Sequence, residues 1–251
     1  MVKKIKPTKE ERKATSPSLD QPDEFISVTQ HIFNWMTANS KVVLWVLGVL
    51  LGLGIAYAAA AGIMQSRSSK ASALLGDVIK AQNGRVDLSG TDAGGDPDEL
   101  VFKSDKDKND AVRVAAEKLV SAYPRSGSAN AARLLLGRAC LDLGDDGCAI
   151  KAFDDFLSIA AAGDPLRTNA LLGLGASWEH KGDLAKAADA YEKIADGTIA
   201  FGKDLGLYEA ARSRAATGDK ERAKRFLDRI EADFPESSLK SDATALAETL
   251  K

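Results

Sequence analysis

The longest apolar run in the chain, residues 42–63 (VVLWVLGVLLGLGIAYAAAAGI), contains no charge, Asn, Gln or Pro, and Lys41 and Arg67 bound it. As a helix rising about 1.5 Å per residue, such a run reaches roughly 33 Å, enough for a hydrocarbon core of about 30 Å. A backbone in lipid must satisfy its own hydrogen bonds, which a helix does locally. The pattern therefore predicts a single transmembrane helix over 41–64. A buried core helix would carry polar side chains over this length, and a cleaved signal peptide would begin earlier and be shorter.

Ahead of this span, DEFISVTQHIFNWMTAN at 23–39 places Phe25, Val28, Ile32, Trp35 and Met36 at helical spacing. We expect an amphipathic juxtamembrane helix over 23–40, with Asp23 as its cap, lying on the inner membrane surface or docked on a partner. Trp35 and Trp45 suit the headgroup region. Residues 1–22 are rich in Lys, Glu, Ser and Pro and read as a disordered tail.

Beyond the span, Ala71, Leu74, Leu75, Val78 and Ile79 predict a helix over 66–82. Gly, Asp and Pro then make 83–110 a loop insertion. Asp105, Asp107 and Asn109 match the first ligand positions of a calcium loop, but Asp110 replaces its Gly and Ala116 its bidentate Glu, so we expect a solvated loop.

From Ala111 onward the pattern repeats. Three stretches, 134–160, 171–195 and 207–231, each carry a Gly-Asp pair: Gly144-Asp145, Gly182-Asp183 and Gly218-Asp219. Five residues after each Gly stands a small residue, Ala149, Ala187 or Ala223; four further stands a large one, Phe153, Tyr191 or Leu227. Seven before each turn are Gly137, Gly175 and Ala211. Small residues facing each other let two helices close, and the large residue fills the groove to the next pair. One hairpin cannot bury its faces alone, so hairpins of this kind stack into a solenoid.

This pattern resembles the tetratricopeptide repeat, on Leu174, Gly175, Trp178, Ala187 and Tyr191. The third unit departs, with Ala210-Ala211 for Leu-Gly and Arg214 for the aromatic. Residues 66–123 read as a degenerate unit with the long loop between its helices, and 237–250 as a closing helix. The expected fold class is thus all-α: one N-terminal transmembrane helix followed by a helical-hairpin solenoid over 66–251.

Charge adds the topology. Residues 1–41 hold seven Lys/Arg against five Asp/Glu, six of the seven ahead of Lys41, so the N-terminus is expected to stay cytoplasmic and the repeat domain to lie outside the cytoplasm. The basic run could also be read as nucleic-acid-binding, but a net charge of −2 supplies no concentrated basic face, and no nucleic-acid partner is expected. His31 and His180 are the only histidines. With no nucleophile elbow, phosphate loop or zinc spacing, the sequence predicts no enzyme, no cofactor and no metal.

Three sets of residues are candidates for interaction. Gly48, Gly52, Ala56 and Ala60 recur every four residues; this small stripe either packs on another membrane helix, such as a second copy, or reflects the ordinary Gly and Ala content of spans. Cys140 and Cys148 flank the first Gly-Asp turn and are either a disulfide, favoured outside the cytoplasm, or two small core residues. The concave face of the first helices should present Leu134, Arg138, Leu141, Leu172, Ala176, Glu179, Tyr208 and Arg212, a mixture that suits a peptide or protein segment. The alternative is that these merely form a solvated inner wall.

The lead-in EFISVTQHIFNWMTANSK running into VLGVLLGLGIAY resembles the bacterial membrane-anchored repeat family that includes the ancillary subunit of the Sec translocon. Membership would imply residence in the inner membrane with a periplasmic domain. It would also imply partners at the translocation channel, a periplasmic chaperone or an exported client. The other reading is an envelope-assembly or cell-division scaffold, which YPRSGSANAA resembles.

Overall fold

The computed structural model describes residues 24–88 and 99–251, with side chains from Thr29 onward. The tail, the proposed cap Asp23 and the middle of the 83–110 insertion lie outside the described residues. Within them the chain is helical: α1 (Glu24–Ala38), α2 (Ser40–Asn83), α3 (Asp105–Ala122), α4 (Gly127–Asp142), α5 (Asp146–Ile159), α6 (Leu166–His180), α7 (Leu184–Ala195), α8 (Lys203–Ala216), α9 (Lys220–Asp233) and α10 (Lys240–Thr249). The strands β1 (Arg85–Val86) and β2 (Val101–Phe102) pair in parallel. Contacts divide the chain after Ile63.

The first unit holds α1 and the apolar part of α2. That part is long and apolar enough to cross a membrane, and none of its most apolar 18-residue window is covered by protein. Leu44, Trp45, Leu51 and Tyr57 all stand two-thirds or more exposed. In water such a surface would be unfavourable, at roughly 25 cal/mol per Å² of apolar area.

α2 departs from the sequence expectation by running on to Asn83 without a break at residue 65. No Pro interrupts 64–83, and Gly76 is an isolated interior glycine. Its later turns belong to the second unit, where Ala71, Val78 and Ala81 are buried with Val112, Ala116 and Leu119 of α3. The expected insertion is also shorter than 83–110. Arg85 and Asp87 donate backbone N–H bonds to Leu100 and Phe102, and α3 begins at Asp105. Ser104 caps it, accepting from the Asp107 N–H at 3.1 Å and donating to the Asp107 carboxylate at 2.8 Å. That reciprocal arrangement starts a helix where the sequence was read as loop.

The second unit stacks α4/α5, α6/α7 and α8/α9 as consecutive hairpins, with α10 closing the end. Each Gly-Asp pair does two jobs. Gly144, Gly182 and Gly218 end a helix at φ +77°, +83° and +86°, a region costly for any residue with a Cβ. Asp145, Asp183 and Asp219 then cap the next helix, accepting from the N–H groups of Cys148, Lys186 and Arg222 at 3.0, 3.2 and 3.1 Å. Ala149, Ala187 and Ala223 are fully buried where the helices close.

The large residues key the stack together. Phe153 is so close to both Gly137 in its own hairpin and Gly173 in the next that an added Cβ would meet its ring at 2.6 and 2.3 Å. Tyr191 closes on Gly175 of its own hairpin in the same way, at 2.3 Å. Two buried clusters result, one from α2 to α7 and one from α6 to α10; Leu157 and Trp178 pack against both.

Candidate functional site

Of the eight residues expected to line the concave face, the structure brings two into direct contact. Arg212 on α8 donates from Nη2 to Glu179 Oε1 on α6 at 2.5 Å and from Nε to Glu209 Oε2 at 2.8 Å. Ser213 Oγ donates to the same Glu179 oxygen at 3.0 Å. Glu179 thus ties its own α6 to α8 through Arg212 and Ser213.

The electrostatics follow from that geometry. Burial pushes the Tyr191 phenol well above its ordinary range, and the Glu179 and Glu209 carboxylates push it further. Burial alone would lower the Arg212 pKa, but its hydrogen bonds to Glu179 and Glu209 more than offset this and raise it. The site therefore holds the Arg212 guanidinium between Glu179 and Glu209, beside a phenol that stays neutral at physiological pH. It can orient polar groups of a ligand through the Arg212 guanidinium.

The other six residues share the faces of the same helices. Leu134 and Leu141 of α4 pack against the first cluster, and Leu172 of α6 and Tyr208 of α8 against the second, each half-buried. Ala176 is half-buried on α6, and Arg138 is exposed and pairs with Asp142 one turn on, at 3.0 Å. The half-buried side chains therefore serve the core as well as the surface.

A second polar network was missed in the sequence. Arg214, buried on α8, donates from Nε to Glu192 on α7 at 2.6 Å and from Nη2 to Asp189. Glu192 also accepts from Arg222 of α9 at 2.9 Å. Arg214 stands where the repeat pattern has an aromatic, and its mismatch with that pattern was the available signal. That departure from the repeat is an ion-pair lock between successive hairpins. Trp178, at the equivalent position one hairpin earlier, carries Lys186 and Lys181 over its ring at 4.3 and 5.2 Å.

Cys140 of α4 and Cys148 of α5 are joined by a disulfide across the first Gly-Asp turn, with Cα atoms 5.7 Å apart. Gly48 and Gly52 on α2 have no other part of the chain within 4 Å of an added Cβ, so that face is open in the protomer. Asp105 and Asp107 sit in the first turn of α3 rather than in a calcium loop. Among the described residues, no three His, Cys, Asp or Glu gather as metal ligands.

Comparison with protein families matches a tetratricopeptide repeat model to residues 169–196 and 206–237. These segments cover most of α6/α7 and of α8/α9, the two hairpins that Glu179, Arg212 and Arg214 tie together. The chain is thus an all-α protein carrying tetratricopeptide repeats, a fold that serves protein–protein interaction. No curated protein matches the chain.

Proposed function

We propose that this chain is a membrane-anchored, non-catalytic interaction module of the bacterial inner membrane, accessory to the Sec translocon. In this reading α2 crosses the membrane once, the N-terminus is cytoplasmic and the repeat domain is periplasmic. There the domain holds an exported client, or the chaperone that receives it, near the channel. The observation that carries the reading is the joining, in one chain, of an uncovered apolar helix to a stack of hairpins that binds protein. The Cys140–Cys148 disulfide supports the side of the membrane, because such bonds persist in oxidising compartments.

Within the domain, the surface around Glu179, Arg212, Leu172, Ala176 and Tyr208 receives the partner segment. Half-buried apolar side chains there supply area, and the Arg212 guanidinium supplies direction. Leu134, Arg138 and Leu141 extend that wall along α4. In the membrane, the Gly48, Gly52, Ala56, Ala60 stripe packs on a helix of the channel or of a second copy.

The test is site-specific crosslinking in native membranes with the full chain, from positions 48 and 172, followed by identification of the adducts. Channel subunits from position 48, and a chaperone or exported protein from position 172, support the proposal. Outer-membrane assembly or division proteins at position 172 would replace it with the envelope-scaffold reading. Adducts with lipid alone at position 48 would remove the packing role of the stripe.

A further inference from the structure

α1 is left unexplained by a module that needs only an anchor and a binding domain. Its described side chains divide sharply. Ile32, Phe33, Trp35 and Met36 are all exposed, Phe33 at 66% and Trp35 at 58%. On a helix of 3.6 residues per turn these four fall within an arc of roughly 160°. Gln30, His31, Asn34 and Thr37 fill the opposite side. The sequence repeats the apolar register at positions 25 and 28.

Two features distinguish this helix from a charge-driven membrane binder. Between Glu24 and Lys41 the sequence has no Asp, Glu, Lys or Arg, so the polar side offers an anionic surface nothing to attract. In addition, the helix is separated from α2 by a break at Asn39. The Asn39 side chain donates to the Trp35 carbonyl at 3.0 Å, and Val42 donates to Asn39, three residues back, at 2.9 Å. α1 ends at Ala38 and α2 starts at Ser40, so the two are joined by one residue yet need not share an axis.

We propose that α1 is an interfacial helix: its Ile32–Phe33–Trp35–Met36 face inserts into the acyl boundary of the cytoplasmic leaflet, held by apolar burial and independent of anionic lipid. The proposal rests on the reading of α2 as a span, because that span delivers α1 to the bilayer surface within one residue. A lipid surface fits the face better than a folded partner does. The apolar arc is wide, carries no charged rim to set a register, and is continuous in sequence with a helix whose own surface is apolar all round.

The test uses the full chain in phosphatidylcholine vesicles with bromine placed shallow or deep on the acyl chains, with and without phosphatidylglycerol. One variant, W45F/W178F, keeps Trp35; the other, W35F/W178F, keeps Trp45. We expect Trp35 to be quenched more by shallow than by deep bromine, equally with and without phosphatidylglycerol. Ile32→Glu should cut that quenching by at least about twofold and leave Trp45 unchanged. Trp35 unquenched while Trp45 is quenched would overturn the inference and leave the span standing. Neither quenched would overturn both. Quenching that needs phosphatidylglycerol would replace apolar insertion by charge-driven adsorption. Loss of Trp35 quenching as the protein-to-lipid ratio rises would assign the face to a second copy.

Discussion

Phe153 of α5 approaches Gly173 of α6 so closely that a Cβ at position 173 would lie 2.3 Å from its ring. Gly173→Ala should therefore destabilise the domain by about 1–3 kcal/mol through overpacking. Phe153→Leu in the same background should relieve part of that cost. Urea unfolding of the two single variants and the double variant checks it: a coupling below about 0.5 kcal/mol would mean the two positions act independently.

That contact also marks the limit of what the pattern showed. Gly137, Ala149, Phe153 and their counterparts announced the hairpins because small-against-large spacing is set within one hairpin and repeats. Gly173, by contrast, meets a residue of the preceding hairpin, and it stands beside Leu174-Gly175 without a motif of its own. The α2 continuation failed for a different reason. The apolar and polar segments of one helix differ in composition, and composition was read as a boundary although no helix breaker stood there. Ser104 and Asp107 were legible as a cap but were outweighed by the surrounding charges. The Glu179–Arg212 contact lay within the expected face, yet its partners Ser213 and Glu209 came from positions the pattern had not singled out.

The lock between the second and third hairpins makes a stronger claim than the repeat pattern does. Arg214→Met leaves Glu192 with Arg222 as its remaining partner and Asp189 in solvent. It should cost about 3 kcal/mol, the low end for breaking a buried pair. Adding Glu192→Met should recover part of the loss. Thermal unfolding of the single and double variants decides whether the pair is a lock or a passive replacement for an aromatic.

Asp183 provides a pH-dependent contribution. The Lys186 side chain and its backbone N–H both hold the carboxylate below its ordinary pKa. A depressed carboxylate contributes stability that is present above its unfolded value of about 3.9 and is lost as pH falls through the folded one. Asp183→Asn keeps a capping acceptor but does not titrate. The gap in melting temperature between wild type and variant should thus be constant at neutral pH and close as the pH is taken below about 4. A gap that persists there would show that the cap works without its charge.

The disulfide should stabilise by about 2–3 kcal/mol for so short a loop. Cys140→Ser with Cys148→Ser should lower the midpoint of denaturation accordingly and raise amide exchange first in α4 and α5. Equal loosening along the whole domain would mean the bond supports the stack globally.

A stack whose members touch only their neighbours comes apart in order when it is pulled. Tension applied between Met64 and Lys251 would peel α10 first, then the hairpins behind it, each release lengthening the chain. The turn between α4 and α5 is the exception. Its bond between Cys140 and Cys148 closes the turn covalently, so the segment between them contributes no slack. The domain thus carries one short segment, nearer the end that carries α2, that stays closed while the helices around it unravel.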